Sequence, residues 1–252
     1  FPDLASDPPL SGPVDLSRLM HYTFFTKSGL TLHKSGLPAL RMFLNARSYL
    51  YSNVYNHRTT RAIDVHLRDI FPETMAEIFP YHPFKNMSGY FALTDWSLLL
   101  TVGAWEQSPS SKKKALAQEW KRILQRDVRW KMAYDTTFSF GGKAGEKVQD
   151  PLHFREVDLE KEIRKTLPVS LRELPFRVDM ATQDPRPMNP LEMGDRQIYV
   201  YNPSSQSVSK EALMEFIDTL PGTLTQCRIF AENHDHDVVL SDAAENALKA
   251  FL

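Results

Sequence analysis

RSYLYSNVYNHRTTRAIDVHL, residues 47–67, is the stretch on which the reading of this chain turns. Its apolar positions continue a pattern that begins at Leu37 and takes in Leu40, Phe43, Leu44, Leu50, Tyr51, Val54, Ala62, Ile63, Leu67, Ile70 and Phe71. That spacing, with Pro38 in the first turn, predicts one long helix or two nearly continuous ones. The same turns also carry Arg47, Tyr51 and Tyr55 at intervals of four, a slowly rotating row about 12 Å long at 1.5 Å per residue. A guanidinium suits phosphate oxygens, and a tyrosine offers a ring face to a sugar or base and a hydroxyl for hydrogen bonding. A second interpretation makes Tyr51, Val54 and Tyr55 core, pairs Arg61 and Arg68 with Asp64 on a wet face, and has His57 cap a neighbouring loop. Spacing alone favours this packing interpretation and does not exclude the other.

Outward from this stretch, FPDLASDPPLSGP carries four prolines and reads as an irregular arm. RLMHYTFFTKSGLTLH predicts a hairpin, with strands near 18–26 and 30–33 around Lys27, Ser28 and Gly29. Pro72 is expected to begin a further helix, which Pro80 and Pro83 then break. TDWSLLLTVGAW reads as a helix capped by Thr94 or Asp95, and its apolar run at 96–105, about half a bilayer span, as a core segment. The stretch SPSSKKKALAQEWKRILQRDVRWKMAY predicts a serine-capped helix with apolar positions from Ala115 through Val128 to Met132. Loops and short extended pieces follow, around the helix DLEKEIRKTL. The chain then closes as strand (RQIYVYN), helix capped by Ser209, strand (TQCRIFAEN) and helix capped by Ser241, a small subdomain whose two strands can share a sheet. The expected class is mainly α with small β elements. Its divisions are an arm and hairpin at 1–34, a helical domain at 35–134, a loop-rich connector at 135–196 and an α/β tail at 197–252.

Thirty basic against thirty-one acidic residues leave a formal charge of −1, so no global field selects nucleic acid or an anionic membrane. Cys227 is the single cysteine, which excludes an internal disulfide or thiolate-only metal cage and fits a reducing, cytoplasmic setting. Three other runs tempt. His234-Asp235-His236-Asp237 holds metal-capable groups, but in a connector where successive side chains diverge, so a solvated turn is expected. GGKAG at 141–145 lacks the spacing of a phosphate loop and reads as a mobile loop. Lys112-Lys113-Lys114 opens a helix, where a solvated face is the default.

The run R-x-x-x-Y-x-x-V-Y-x-H-x-x-T-R-x-x-D, at Arg47, Tyr51, Val54, Tyr55, His57, Thr60, Arg61 and Asp64, resembles a segment of HD-domain phosphohydrolases of the deoxynucleoside triphosphate triphosphohydrolase type. VDLSRLMHYTFFTKSGLTLHKSGLPALRMFLNAR is similar to that family's lead-in, so the resemblance runs from about Asp15 to Phe71. It implies that Arg47 contacts substrate phosphates, that Tyr55 packs on the sugar and that Asn56 bonds sugar or base, with Tyr51 beside them and His57 either pocket wall or structure. It also implies a divalent metal held by an H…HD…D set. In the family those ligands precede the lead-in, and this chain starts at Phe1 near that point. The expectation is therefore the carboxy-terminal part of such an enzyme, without catalytic or metal-ligating residues of its own. Its partners would be a nucleoside triphosphate or other phosphorylated small molecule, its own amino-terminal HD half, and copies of itself in a homo-oligomer. Neither a membrane nor nucleic acid is expected. The arm at 1–13 and the stretch 81–90 are candidate contact surfaces. The alternative is a non-catalytic nucleotide-binding or assembly module.

Overall fold

The computed structural model describes residues 14–140, 156–183, 197–217 and 223–251, and these form an α+β structure with two small sheets. The arm at 1–13 and GGKAG lie outside the described residues. The chain divides into two compact units.

The first unit comprises the described residues of Phe1–Asn56, Thr136–His153 and Met180–Cys227. It opens with α1 (Leu16–His21), where a strand is predicted. Asp15 accepts from the Arg18 amide at 2.9 Å, and this side-chain cap closes a short helix before the extended chain begins. β1 (Thr23–Thr26) and β2 (Gly29–His33) then form the expected hairpin, with Thr26 opposite Gly29. Gly29 has φ +127°, a conformation that favours glycine. β5 (Ile198–Asn202) pairs in parallel with β2, and β6 (Ser207–Ser209) pairs antiparallel with β5, giving the order β1-β2-β5-β6. One face of this sheet is covered by α2 (Leu37–Leu50) and α8 (Glu211–Ile217), through a core of Leu44, Val200, Leu213, Phe216 and Ile217.

The second unit comprises the described residues of His57–Asp135, Phe154–Asp179 and Arg228–Leu252. Its long helix α3 (Arg58–Ile78) runs straight through Pro72, where a new helix is predicted. Proline removes one amide donor, but the buried face of Ile70 and Thr74 continues across it. Thr74 donates to the Ile70 carbonyl at 2.9 Å and accepts from the Trp120 indole at 2.9 Å, so the helix stays anchored through the break in its ladder. Trp120 lies on α6 (Ser111–Leu124), in a core with Ile70, Val102, Trp105, Leu116 and Ala117.

α6 starts at the expected Ser110 cap but stops eight residues short of Met132. Arg126 adopts φ +60°, and the Arg126 and Asp127 amides turn back to the Ile123 and Arg122 carbonyls at 3.0 and 2.8 Å, a left-handed helix stop. Val128 and Trp130 then enter a second core with Ala62, Val65 and Phe230.

After the short helix α4 (Met87–Phe91), α5 (Asp95–Ala104) departs from the expected burial. Val102 and the following Trp105 are buried, whereas Trp96 and Leu100 are 79% and 77% exposed. The run at 96–105 is therefore core along one face only. Its start follows the sequence: Thr94 accepts from the Ser97 amide while Ser97 Oγ accepts from the Thr94 amide, a reciprocal cap. Thr94→Ala should cost about 1 kcal/mol, read as a fall in the urea midpoint at unchanged m-value.

α7 (Glu156–Thr166) packs on α9 (Asp237–Phe251), burying Leu159, Ile163, Leu240 and Ala244. α9 begins at Asp237, so Ser241 sits inside the helix instead of capping it, and its hydroxyl donates to the Ala133 carbonyl at 3.2 Å. A second sheet has the order β3-β7-β4, from Lys131–Phe140, Thr223–Ala231 and Phe176–Gln183, and each strand contributes residues to both units. The two strands of the expected tail, β5 and β7, therefore belong to different sheets.

Candidate functional site

The row Arg47, Tyr51, Tyr55 does not lie on a regular α-helix. Residues Tyr51–Tyr55 form a π-turn at the end of α2, closed by the Asn56 amide donating to the Tyr51 carbonyl five residues back at 2.8 Å. A local cause is Asn53, whose side-chain amide donates to the Tyr49 carbonyl at 3.0 Å and competes there with the ordinary i to i−4 bond. The wider turn brings residues four apart nearly above one another. The Tyr51 and Tyr55 rings sit 5.1 Å apart at 54°, and the Arg47 guanidinium lies 5.2 Å over the Tyr51 ring. Single π-turns inside helices recur at functional sites.

Arg47 Nη1 is buried and has no hydrogen-bond partner among the described residues. A guanidinium nitrogen left this way costs roughly 1–3 kcal/mol or more, unless something not belonging to the chain accepts from it. Tyr55 is 57% exposed, Tyr51 and Asn56 are half-buried, and Ser52 Oγ lies 3.5 Å from Gln183 Oε1. Arg47, Tyr51, Tyr55 and Asn56 thus occupy one short stretch of the first unit. His57 opens the second unit, where its Nδ1 accepts from the Thr59 amide at 3.3 Å and caps α3 itself, not a neighbouring loop.

Arg61 of the motif, and Arg68 two turns further on, also differ from the packing interpretation. Arg61 keeps the expected pair with Asp64 at 3.2 Å, but its stronger partner is Asp179, which accepts from Nε at 2.8 Å and Nη2 at 2.5 Å. Arg68 donates to Asp179 at 2.8 Å and to Glu156 at 2.9 Å. The Asp179 side chain is 1% exposed, so one buried carboxylate organises both cations. The Arg61 pKa is raised above the ordinary guanidinium value, first by its hydrogen bonds to Asp179 and then by the nearby carboxylates, against the opposing effect of burial. Asp179 lies 118 residues from Arg61, and nothing local in the sequence signals that partnership.

Two basic or metal-capable runs resolve simply. Lys112 and Lys113 reach Glu77 at 3.1 and 3.7 Å. His234 Nδ1 hydrogen-bonds Asp237 at 2.8 Å in the turn before α9. Among the described residues no three His, Cys, Asp or Glu side chains gather as a metal set, and no helix is long and apolar enough to cross a membrane.

With this geometry in place, the class of protein follows from comparison. Residues 14–166, more than half the chain, match the family model described as the HD associated region, and the chain belongs to that family. Among solved structures it is similar to a hypothetical protein from Aquifex aeolicus, at 22% identity and TM-score 0.55 over 93% of this chain and 51% of that one. It is also similar to a phosphohydrolase from Bacteroides thetaiotaomicron, at 15% identity and TM-score 0.53 over 87% of this chain and 56% of that one. At these identities the likeness is one of fold, and the chain spans about half the length of each. No curated protein matches it.

Proposed function

We propose that this chain is the carboxy-terminal portion of an HD-superfamily phosphohydrolase acting on deoxynucleoside triphosphates, nucleoside triphosphates or related phosphate esters, and that it supplies one wall of the substrate pocket. The observation that carries the reading is the buried Nη1 of Arg47, without a partner among the described residues, on a guanidinium that lies over the Tyr51 ring. A phosphate oxygen would satisfy that donor, the exposed Tyr55 ring offers a surface for the sugar, and Asn56 and then His57 follow in the chain with polar atoms. Family membership and the phosphohydrolase of similar fold support the same direction. The reading assigns the divalent ion, and the water it would activate, to an HD half outside this chain. It places the protein in the cytoplasm.

Titration of the chain with dGTP tests the pocket. Tyr55→Ala should weaken binding about tenfold, from the loss of a ring contact worth roughly 1.4 kcal/mol. Equal affinity in wild type, Tyr55→Ala and Arg47→Ala would remove the case for a nucleotide at this turn.

The same reading gives oligomer contacts to exposed apolar side chains between residues 81 and 100 of the second unit. Tyr81, Phe84, Tyr90, Phe91, Trp96 and Leu100 are between 47% and 82% exposed. At about 150–250 Å² per aromatic side chain, that leaves an apolar area close to the roughly 800 Å² per partner of a standard interface. Trp96→Asp should shift the chain toward monomer in sedimentation equilibrium, and an unchanged distribution would count against these contacts.

A further inference from the structure

We propose that a cavity at the start of α3 binds a short inorganic oligophosphate, pyrophosphate or tripolyphosphate. The cavity holds about 280 Å³ and lies wholly within the second unit. Four of its ten lining residues are basic, Arg58, Arg126, Lys131 and His234, and none is acidic. Its floor includes the buried Val128, Trp130 and Phe230.

Asp127, Glu119 and Glu232, carboxylates adjoining the lining segments, are engaged by cations that do not line the cavity. Arg122 pairs with Asp127 and Glu119, and Arg129 pairs with Glu232. Arg58 and Arg126 make no ion pair with any described residue. Lys131 Nζ donates to the Val128 carbonyl at 2.9 Å, which leaves its charge unneutralised. His234 is fixed by Asp237, whose second oxygen Oδ1 is buried without a partner among the described residues. Three permanent positive charges therefore face one small concave space, and the first turn of a 21-residue helix adds its positive end.

Arg126 supplies the independent argument. It occupies the left-handed position that ends α6, with φ +60°, where glycine is the favoured residue. An arginine held there at a conformational cost places a guanidinium in the cavity wall, which is the kind of local strain that accompanies a ligand site. The size suits a small anion: about 280 Å³ falls just below the roughly 300 Å³ at which pockets begin to enclose drug-sized molecules. A chain of two or three phosphates fits that volume.

Calorimetric titration of the chain with pyrophosphate and tripolyphosphate, in an Arg47→Ala background so that the π-turn does not contribute, tests the assignment. The expected result is one site whose affinity falls as salt rises. Arg126→Gly should weaken it at least tenfold while the melting temperature stays or increases, since the backbone strain is relieved. Arg58→Gln should weaken it similarly, and Arg122→Gln should leave it unchanged. The proposal is overturned if Arg126→Gly and Arg58→Gln bind as tightly as their background, or if no heat is seen at millimolar ligand. It is equally overturned if dGTP or a single-stranded oligonucleotide binds there more tightly than tripolyphosphate and loses that binding in the same variants.

Discussion

Arg47→Ala should weaken dGTP binding by roughly ten- to a hundredfold and leave the melting temperature of the chain unchanged or slightly raised. The affinity estimate follows from a charge-assisted hydrogen bond worth about 1.5–3 kcal/mol, at one decade for each 1.4 kcal/mol. The stability estimate follows from what Arg47 does without ligand. Its contact over the Tyr51 ring contributes about 0.5–1 kcal/mol, and its buried Nη1, with no partner among the described residues, costs at least as much. Removing both is close to neutral. Arg47→Lys should recover only part of the affinity, because an ammonium cannot present two parallel donors to a phosphate. Isothermal titration and differential scanning fluorimetry on the three proteins check the pattern. A fall of many degrees in Arg47→Ala with unchanged affinity would make the residue a packing element.

Asp179→Ala should have the largest effect on stability, about 3 kcal/mol, measured as a reduced urea midpoint. The buried carboxylate accepts three hydrogen bonds from Arg61 and Arg68, and deleting it strands Arg61, whose side chain is 20% exposed. Asp64 would retain part of Arg61's charge compensation, which keeps the estimate at the low end of the range for a broken buried pair. Replacing both partners, as Asp179→Leu with Arg61→Met, should cost less than Asp179→Ala alone, because no buried charge is left uncompensated and Arg68 keeps Glu156. The pH dependence has a definite sign. A group whose folded pKa is raised stabilises fully below its unfolded value and loses that contribution only as pH rises through the folded value. Arg61's contribution should therefore be constant between pH 5 and 9, roughly, and denaturation midpoints that moved in that window would have to come from other groups.

Much of the local structure could be read from residues within a turn or two of each other. The hairpin at Gly29, the caps at Thr94 and Ser110, and the helices after them depend on φ preferences and i to i+4 bonds. The misassigned boundaries have the same character. Pro72 and Ser241 carry locally valid start signals, and packing at Thr74 and a hydrogen bond to Ala133 override them. At the end of α6, apolar spacing through Met132 was compatible with helix, but Arg126 turns left-handed so that Val128 and Trp130 can enter a different core. The candidate site was legible as a set of residues, Arg47, Tyr51, Tyr55 and Asn56, and not as a geometry, since the Asn53 side chain converts the expected α-turn into a π-turn.

Chemistry along one strand or helix is a matter of neighbours, and so the amino-acid order alone settles the class of fold, the position of the Arg47 motif and the near-neutral charge. Pairing at long range is not. The parallel partnership of β2 with β5, and the choice of Asp179 over Asp64 as Arg61's main anchor, join residues more than a hundred positions apart. Their free energies depend on burial that exists only once the chain has packed, which is why the carboxylate that organises Arg61 and Arg68 leaves no mark near them in the sequence.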